Sequence, residues 1–211
     1  MELLIVSILS ALAVFAFGVA NAQEEGGFGF SKGDVLVEGN LSVKSVSVPD
    51  GSSTKTTTSY GFAPVGGFFV TDKLAVGLGL DIRSDKGLES TGPGASVYDL
   101  DTFGVGAFGR YYFLDLGQRF KVYGQGTLGY TSYKEKYTRN DVKSSAFGFK
   151  AGLGVNYFLT NSIAINFAVS DVFSVSHRKP ESGDGTTRVN LNVNSFSNFF
   201  TTPTFGLTFK F

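Results

Sequence analysis

The chain contains no cysteine and no tryptophan, and it has one histidine and five prolines. Without cysteine it can form no disulfide bond in any compartment. Charged residues are scarce, at 17% of 211 residues, below the roughly 25% of an ordinary soluble domain. The formal net charge is zero, so no overall positive field would draw the chain to nucleic acid, and we expect no nucleic-acid partner.

The first residues form a segment of their own. A continuous apolar run ends in the small residues A-N-A directly before Gln23. That order is typical of a secretory signal peptide and its cleavage site, although Glu2 stands where Lys or Arg is usual. An uncleaved membrane anchor is the alternative, because the run reaches the lower edge of spanning length. We predict a signal peptide over 1–22, an N-terminal linker over 23–32 and one β-barrel domain over 33–211.

Period-two alternation dominates the remainder, and no stretch after residue 32 keeps a helical stripe. In LAVGLGLDIR (74–83) the aliphatic residues share one face, and FGFKAGLGVNYFL (147–159) repeats the pattern with aromatics. Pro64 falls inside a predicted strand, where it removes a backbone donor, so we expect a bulge or irregularity near it. The predicted strands cover approximately 33–48, 60–70, 74–84, 99–113, 119–133, 145–159, 163–175 and 199–211.

The connections between these strands alternate in length. Tight turns are predicted at 71–73, 114–118 and 160–162, and long polar loops at 49–59, 84–98, 134–144 and about 176–198. Short turns at one end and long loops at the other are typical of up-and-down membrane barrels. We therefore predict an all-β fold, an eight-stranded antiparallel up-and-down transmembrane barrel.

An internal repeat supports this register. FFVTDKLAVGLGL (68–80) and YFLTNSIAINFAV (157–169) share an aromatic strand end, a Thr-Asp or Thr-Asn turn and alternating aliphatics. Two similar hairpins within one barrel explain the repeat without a second domain.

Alternation alone allows two kinds of barrel, which differ in whether the apolar face points inward or outward. A lipocalin-like soluble barrel points its apolar face inward, whereas a membrane barrel points it at lipid. Here the polar-face positions are mostly Gly, Ala, Asn and Gln with few charges, which suits a narrow lumen better than a surface in water. Aromatic residues also gather at the short-turn ends, as in a membrane-interface girdle: Phe68, Tyr111, Phe113, Phe120, Tyr157 and Phe211.

The sequence resembles the small outer-membrane β-barrel family of Gram-negative bacteria, of the OmpA/OmpX type. The resemblance rests on ANAQ, the two repeated hairpins, FGRYYFL, VYGQGTLGY and the terminal FGLTFKF. It implies export through the periplasm to the outer membrane, contact with outer-membrane lipid, and insertion by the barrel-assembly machinery. That machinery reads a C-terminal strand ending in an aromatic residue, and the resemblance assigns this signal to Phe205, Leu207, Phe209 and Phe211.

Seven charged residues fall on the inward face of the predicted barrel. Buried charges persist only when paired or hydrated, so we expect Glu38 to bridge to a basic group. A narrow eight-stranded lumen can be filled by side chains, which favours a plugged scaffold whose external loops bind an unknown ligand. A small pore preferring anions is the alternative in the membrane, and a soluble periplasmic lipocalin-like barrel is the alternative outside it. The inward set is Glu38, Asp81, Arg83, Arg110, Lys121, Lys150 and Lys210.

Signals for catalysis are weak. The chain matches the dinucleotide fingerprint G-x-G-x-x-G at 104–109 and 124–129, but that motif needs a helix after it, and both matches lie inside predicted strands. His177 has Asp171 and Asp184 nearby, as Ser- and Asp-rich loops often place them by chance. We therefore predict no enzyme activity, no cofactor and no catalytic or metal site.

Overall fold

A computed structural model describes residues 27–50, 53–88, 97–136, 141–191 and 204–211. The predicted signal peptide lies outside these residues. Nine strands occupy them: β1 (Val35–Asp50), β2 (Ser53–Phe69), β3 (Leu74–Leu88), β4 (Val97–Leu116), β5 (Phe120–Lys136), β6 (Asp141–Phe158), β7 (Ile163–Pro180), β8 (Thr186–Leu191) and β9 (Thr204–Lys210). None of the described residues belongs to a helix long and apolar enough to cross a membrane.

Eight of these strands close into a ring. Each strand from β1 to β7 pairs antiparallel with the next, and β9 pairs with both β7 and β1. Phe211 completes the closure, because its backbone N and O both bond to Val35, at 3.0 and 2.8 Å. The ring confirms the predicted eight-stranded antiparallel barrel. A closed ring leaves no unpaired strand edge facing hydrocarbon, which is the condition for spanning a membrane with strands.

One strand was not predicted. β8 lies outside the ring and pairs with β7 over Phe173–Arg178, so that β7 and β8 form a hairpin beyond the point where β9 ends. The sequence VNLNVNSFSNFF (189–200) is therefore strand as far as Leu191, and its remainder lies outside the described residues.

Strands extend well into the segments predicted as long loops. The β1–β2 ladder continues without a break to Asp50↔Ser53, so the prediction of a loop over 49–59 was wrong. Residues 84–88, 134–136, 141–144 and 176–180 are likewise strand. The physical reason is that a strand beyond the membrane contacts water on both faces. Its backbone ladder persists while the apolar alternation used for the prediction disappears.

Pro64 does not shift the register. β2 and β3 keep one register from Phe62↔Ile82 to Val65↔Gly79, and the pairs between those positions are missing. The predicted irregularity near Pro64 is therefore present as an interruption of the ladder and not as a bulge, as expected of a residue without an N–H donor. Register shifts occur instead at Tyr112–Leu114 of β4 and around Gly152 of β6.

The repeated hairpins have the same turn. Thr71 Oγ1 accepts a bond from Leu74 N at 3.0 Å, and Thr160 Oγ1 accepts the equivalent bond from Ile163 N at 3.0 Å. These hydroxyl caps fix both β2–β3 and β6–β7 as tight hairpins at one end of the barrel.

The outer surface is an apolar belt with an aromatic edge at each end. Leu41 and Leu78, on outward positions of β1 and β3, are 64% and 65% exposed. On β4, β5 and β6 one aromatic residue marks each limit of the belt: Phe103 and Phe113, Phe120 and Tyr130, Phe147 and Tyr157. Each pair spans close to the ~9–11 residues that a tilted strand needs to cross a bilayer. Large apolar side chains therefore face outward, as in a membrane barrel and unlike a soluble ligand-binding barrel.

Candidate functional site: the polar lumen

The centre of the lumen is a buried ion pair. Arg110 Nη1 lies 2.8 Å from Glu38 Oε2, and both side chains are 2% exposed. Their strands, β4 and β1, are on different sides of the ring, so the pair spans the lumen. Two charges in such a place are tolerated only when their remaining hydrogen-bonding capacity is also met.

Glu38 meets that condition through neighbours on four strands. Its Oε1 accepts hydrogen bonds from Asn40 Nδ2 at 3.0 Å, Arg110 Nη2 at 3.2 Å and Asn166 Nδ2 at 2.9 Å. Its Oε2 also accepts from Thr208 Oγ1 at 2.9 Å. The carboxylate is thus surrounded by donors and almost fully buried.

Arg110 is satisfied in the same way. Its Nε donates to Gln125 Oε1 at 2.7 Å, and its guanidinium carbon lies 4.1 Å from the centre of the Tyr123 ring. Contact with an aromatic face stabilises a desolvated cation. The arginine is therefore held on one side by a carboxylate and on another by a ring.

Two tyrosines extend the network around the wall. Tyr112 Oη donates to Asn156 Oδ1 at 2.7 Å, and Asn156 Nδ2 donates to Thr208 at 2.9 Å. Tyr123 Oη donates to Asn166 Oδ1 at 2.7 Å. In the part of the chain that the structure describes, no buried side-chain nitrogen or oxygen lacks a partner. Six strands of the ring contribute to this network, which we call the central network: Glu38, Asn40, Arg110, Tyr112, Tyr123, Gln125, Asn156, Asn166 and Thr208.

Below the central network, at the short-turn end, the chain segment 27–34 enters the mouth of the barrel. Phe30 stacks on Phe69 with ring centres 4.3 Å apart, and it contacts Tyr112 and Phe158 at 4.9 and 5.2 Å. Aromatic pairs at these distances are attractive beyond the area they bury. We call this second layer, Phe30 with its three partner rings, the aromatic cap.

Backbone contacts fix the segment that carries the cap. Gly33 N donates to Phe69 O at 2.9 Å, and Lys32 N donates to Asp72 Oδ1 at 2.8 Å. Lys210 Nζ donates to Gly29 O at 3.0 Å. The segment, which overlaps the predicted linker, is therefore anchored to the second strand, to the turn that follows it and to the last strand of the ring.

Above the central network, toward the long hairpins, the lumen widens into a cavity. A cavity of about 1020 Å³ extends from Glu38 and Arg110 to Lys44, Asp85 and Thr131. Glycines make much of its wall: Gly61, Gly79, Gly104, Gly106, Gly129 and Gly152. The barrel is thus filled by packed side chains in its lower part, whereas small residues make much of the wall in its upper part.

The seven predicted inward charges are divided among these layers. Only Glu38 and Arg110 meet at the centre. Asp81 and Arg83 form a half-exposed pair at 3.6 Å in the upper cavity, and Lys150 also lines that cavity. Lys121 pairs with Asp115 at 2.9 Å near the short-turn end, where Lys210 holds Gly29.

Sequence reasoning missed most of the central network and the whole cap. The period-two alternation does place Asn156 and Thr208 on the inward face. It was the one sequence signal that could have identified them as lumenal residues. Nothing in 27–34 identifies Phe30 as an inward residue, because that segment has no strand pattern. His177, singled out for its rarity, lies on the outer face of β7 with Nδ1 2.9 Å from Thr187 Oγ1, in a cross-strand contact.

The fold and its surfaces define a transmembrane β-barrel: a closed antiparallel ring with an outward apolar belt and a polar lumen. The chain belongs to the family described as outer membrane protein beta-barrel domain, whose match covers residues 7–199. It is accordingly an outer-membrane protein of the Gram-negative type.

Solved structures with the same architecture include the outer membrane protein OprG from Pseudomonas aeruginosa, which is 16% identical with a TM-score of 0.50. That likeness covers 87% of this chain and 98% of OprG. Ail, the attachment invasion locus protein of Yersinia pestis, is 13% identical over 85% of this chain and 99% of its own, with a TM-score of 0.44. The E. coli outer membrane protein W is 16% identical over 86% and 99%, with a TM-score of 0.46. No curated protein matches the chain in sequence.

Proposed function

We propose that this protein is a non-conducting, non-catalytic outer-membrane scaffold that presents its long hairpins to the cell exterior. The observation that supports the proposal is the presence of two successive layers of side chains across the lumen, the Glu38–Arg110 network and the Phe30 cap. A hydrated ion would have to break a satisfied buried ion pair and then displace a packed aromatic ring. Each step is costly in a low-dielectric interior.

The anion pore is the weaker alternative. Arg110, the most deeply placed cation, is already bound to Glu38 and Gln125. It therefore offers no free positive site to a passing anion. The other lumenal cations lie above or below the constriction and do not form a continuous path.

Recording across planar bilayers tests closure. Purified, refolded protein should give no steady conductance. The double variant Phe30→Ala/Glu38→Ala, which removes a barrier from each level, should conduct more than either single variant. Steady anion-selective current from the unmodified protein would overturn the scaffold proposal in favour of the pore.

The hairpins are the proposed site of surface interaction. Strands β1 and β2 continue far above the apolar belt, to Asp50 and Ser53, and β7–β8 adds a second rigid hairpin. Paired strands position a contact surface more firmly than free loops do. Exchanging the β7–β8 hairpin tip (181–185) for an unrelated turn should change binding to host or cell surfaces while leaving barrel assembly intact. Unchanged binding in every hairpin exchange would remove this role.

For insertion, we propose that the outward face of β9 serves the barrel-assembly machinery. Phe205, Leu207 and Phe209 face the lipid side, and Phe211 bonds to Val35 at the closing seam. The same strand therefore carries the assembly signal and closes the ring.

A further inference from the structure

The upper cavity of the lumen has no part in the scaffold role. Its volume of about 1020 Å³ is at the upper end of the roughly 300–1,000 Å³ of small-molecule pockets. Lys150 lines it at the level of the apolar belt, three residues along β6 from Phe147, which marks the upper limit of that belt. Ionisable residues that face a cavity at membrane depth are typical of binding sites. The upper cavity is therefore a candidate binding site.

The charges around the upper cavity nearly cancel. Two of its cations already pair with carboxylates of the same wall, at 2.8 and 3.6 Å. Asp171 of β7 adds a further acidic residue, since its backbone pairs with Gly152 of the wall. Surroundings without a net charge favour neither anions nor cations, so they suit a neutral ligand. The charged residues that line the cavity are Lys44, Arg83, Arg110 and Lys150 against Glu38, Asp81 and Asp85.

The wall offers both kinds of hydrogen-bonding group. The carboxylate of Asp85 on β3 only accepts hydrogen bonds, the ammonium of Lys150 on β6 only donates them, and hydroxyls such as those of Ser42 and Thr127 do both. Among the described residues, the side chains of Asp85 and Lys150 have no hydrogen-bond or ion-pair partner. A ligand that satisfies both has to donate on one side and accept on the other. Hydroxyl groups do this without carrying charge.

One part of the wall is bare backbone. Four glycines are paired in register on β3 to β6, and the first three line the cavity: Gly79, Gly106, Gly129 and Gly148. The row spans three strand spacings, about 14 Å. A Cβ added at Gly106 would lie 3.0 Å from Leu128 O, so packing explains that glycine, whereas at Gly79 the nearest atom would be 3.5 Å away. A strand glycine that packing does not require is typical of close approach by a ligand.

We propose that the upper cavity binds a short neutral saccharide that enters from the long-hairpin side. The flat C–H face of a sugar ring lies against the glycine row, where no side chain intervenes. Its hydroxyls donate to Asp85 and accept from Lys150 on the opposite side. A saccharide fits because it joins many uncharged donors and acceptors to a flat ring, whereas an apolar ligand would leave the polar wall unpaired.

Binding to refolded protein in detergent tests the site independently of conductance, so steady current in bilayers would remove the scaffold proposal and not this one. The probes are neutral trisaccharides of different linkage, namely maltotriose, cellotriose and triacetylchitotriose, with citrate and glycylglycine as ionic probes. Native mass spectrometry counts each probe on the folded barrel. At least one trisaccharide should be retained in preference to citrate and glycylglycine.

Two variants change the cavity directly. Gly79→Val fills the space in front of the glycine row, and Lys150→Gln removes the charged donor on the opposite side. Each should weaken retention of that trisaccharide roughly tenfold or more, because one loses the ring contact and the other a charge-assisted hydrogen bond.

Two matched variants serve as controls. Gly109→Val adds the same side chain at a glycine whose Cβ would meet nothing within 4 Å, and Lys121→Gln removes a lysine at the short-turn end that pairs with Asp115. Both should bind the trisaccharide like the unmodified protein, and all variants must show the heat-modifiable mobility of a folded barrel.

The proposal is overturned if the unmodified protein retains none of the trisaccharides, or if Gly79→Val retains them equally well. Retention of citrate or glycylglycine in their place would also overturn it, since the cavity would then select charged solutes. An equal loss of binding in Gly109→Val would show that the effect does not come from the cavity, with the same consequence.

Discussion

Glu38 and Arg110 are 72 residues apart in sequence, yet Arg110 Nη1 and Glu38 Oε2 lie 2.8 Å apart at the centre of the barrel. Around them the central network joins strands from the first to the last of the ring. The ion pair is therefore a cross-link between distant parts of the chain, and in the scaffold proposal it is also the main obstruction of the lumen.

Removing one partner of this pair should destabilise the barrel strongly. Glu38→Gln leaves Arg110 buried without its counter-charge, a change that costs about 3–5 kcal/mol. Urea-induced unfolding in detergent micelles measures the loss in free energy of unfolding. Asp81→Asn, in the half-exposed pair with Arg83, should cost less than about 1 kcal/mol, and equal costs for the two variants would contradict the account.

The aromatic cap should contribute stability of its own. Phe30→Ala removes contacts with Phe69, Tyr112 and Phe158, and we expect a loss of about 2 kcal/mol. The N-terminal segment should also become more susceptible to proteolysis. As a control, Phe28→Ala removes a ring at the edge of the mouth that contacts Arg119 and Phe158. If Phe28→Ala is the more damaging change, the cap has been assigned to the wrong ring.

Close strand approach should make one glycine irreplaceable. A Cβ at Gly77 would lie 2.1 Å from Gly66 O and 2.6 Å from the Phe108 ring, whereas at Gly109 it would meet nothing within 4 Å. Gly77→Ala should therefore destabilise by about 1–3 kcal/mol or more, and Gly109→Ala should be neutral or slightly stabilising. Thermal unfolding of the two variants decides this, and similar midpoints would refute the packing argument.

Deletion of Phe211 should impair assembly. The residue supplies two backbone hydrogen bonds to Val35 at the closing seam and, by family resemblance, the aromatic end of the assembly signal. The fraction of folded protein in outer-membrane extracts measures the effect. Deletion of Ser182, in the exposed turn between β7 and β8, provides the comparison; normal assembly without Phe211 would show that neither role is needed.

The ring and its inside and outside were predictable because lipid imposes a period of two. That period placed Glu38, Arg110 and Thr208 inside and Leu78 outside. The alternation could not reveal which inward side chains contact one another. Glu38 lies beside Arg110 and Asn166 only because closure of the ring fixes the register between the strands.

The rest of the fold lacked such a signal. Above the belt, residues such as Thr54 and Thr58 pair in a regular ladder, but water on both faces removes the apolar alternation that would identify a strand. In the mouth of the barrel, Phe30 is held by tertiary contacts alone.

The most direct test of the closed lumen uses the absence of native cysteine. Thr127 lines the upper cavity directly above the central network, so Thr127→Cys introduces one thiol there. In vesicles of a single orientation, a charged, membrane-impermeant maleimide should label this thiol only when added from the long-hairpin side. Leu78→Cys, facing lipid, should resist the reagent from both sides. Equal labelling of Thr127→Cys from the short-turn side would show that the lumen is open, and it would contradict the account.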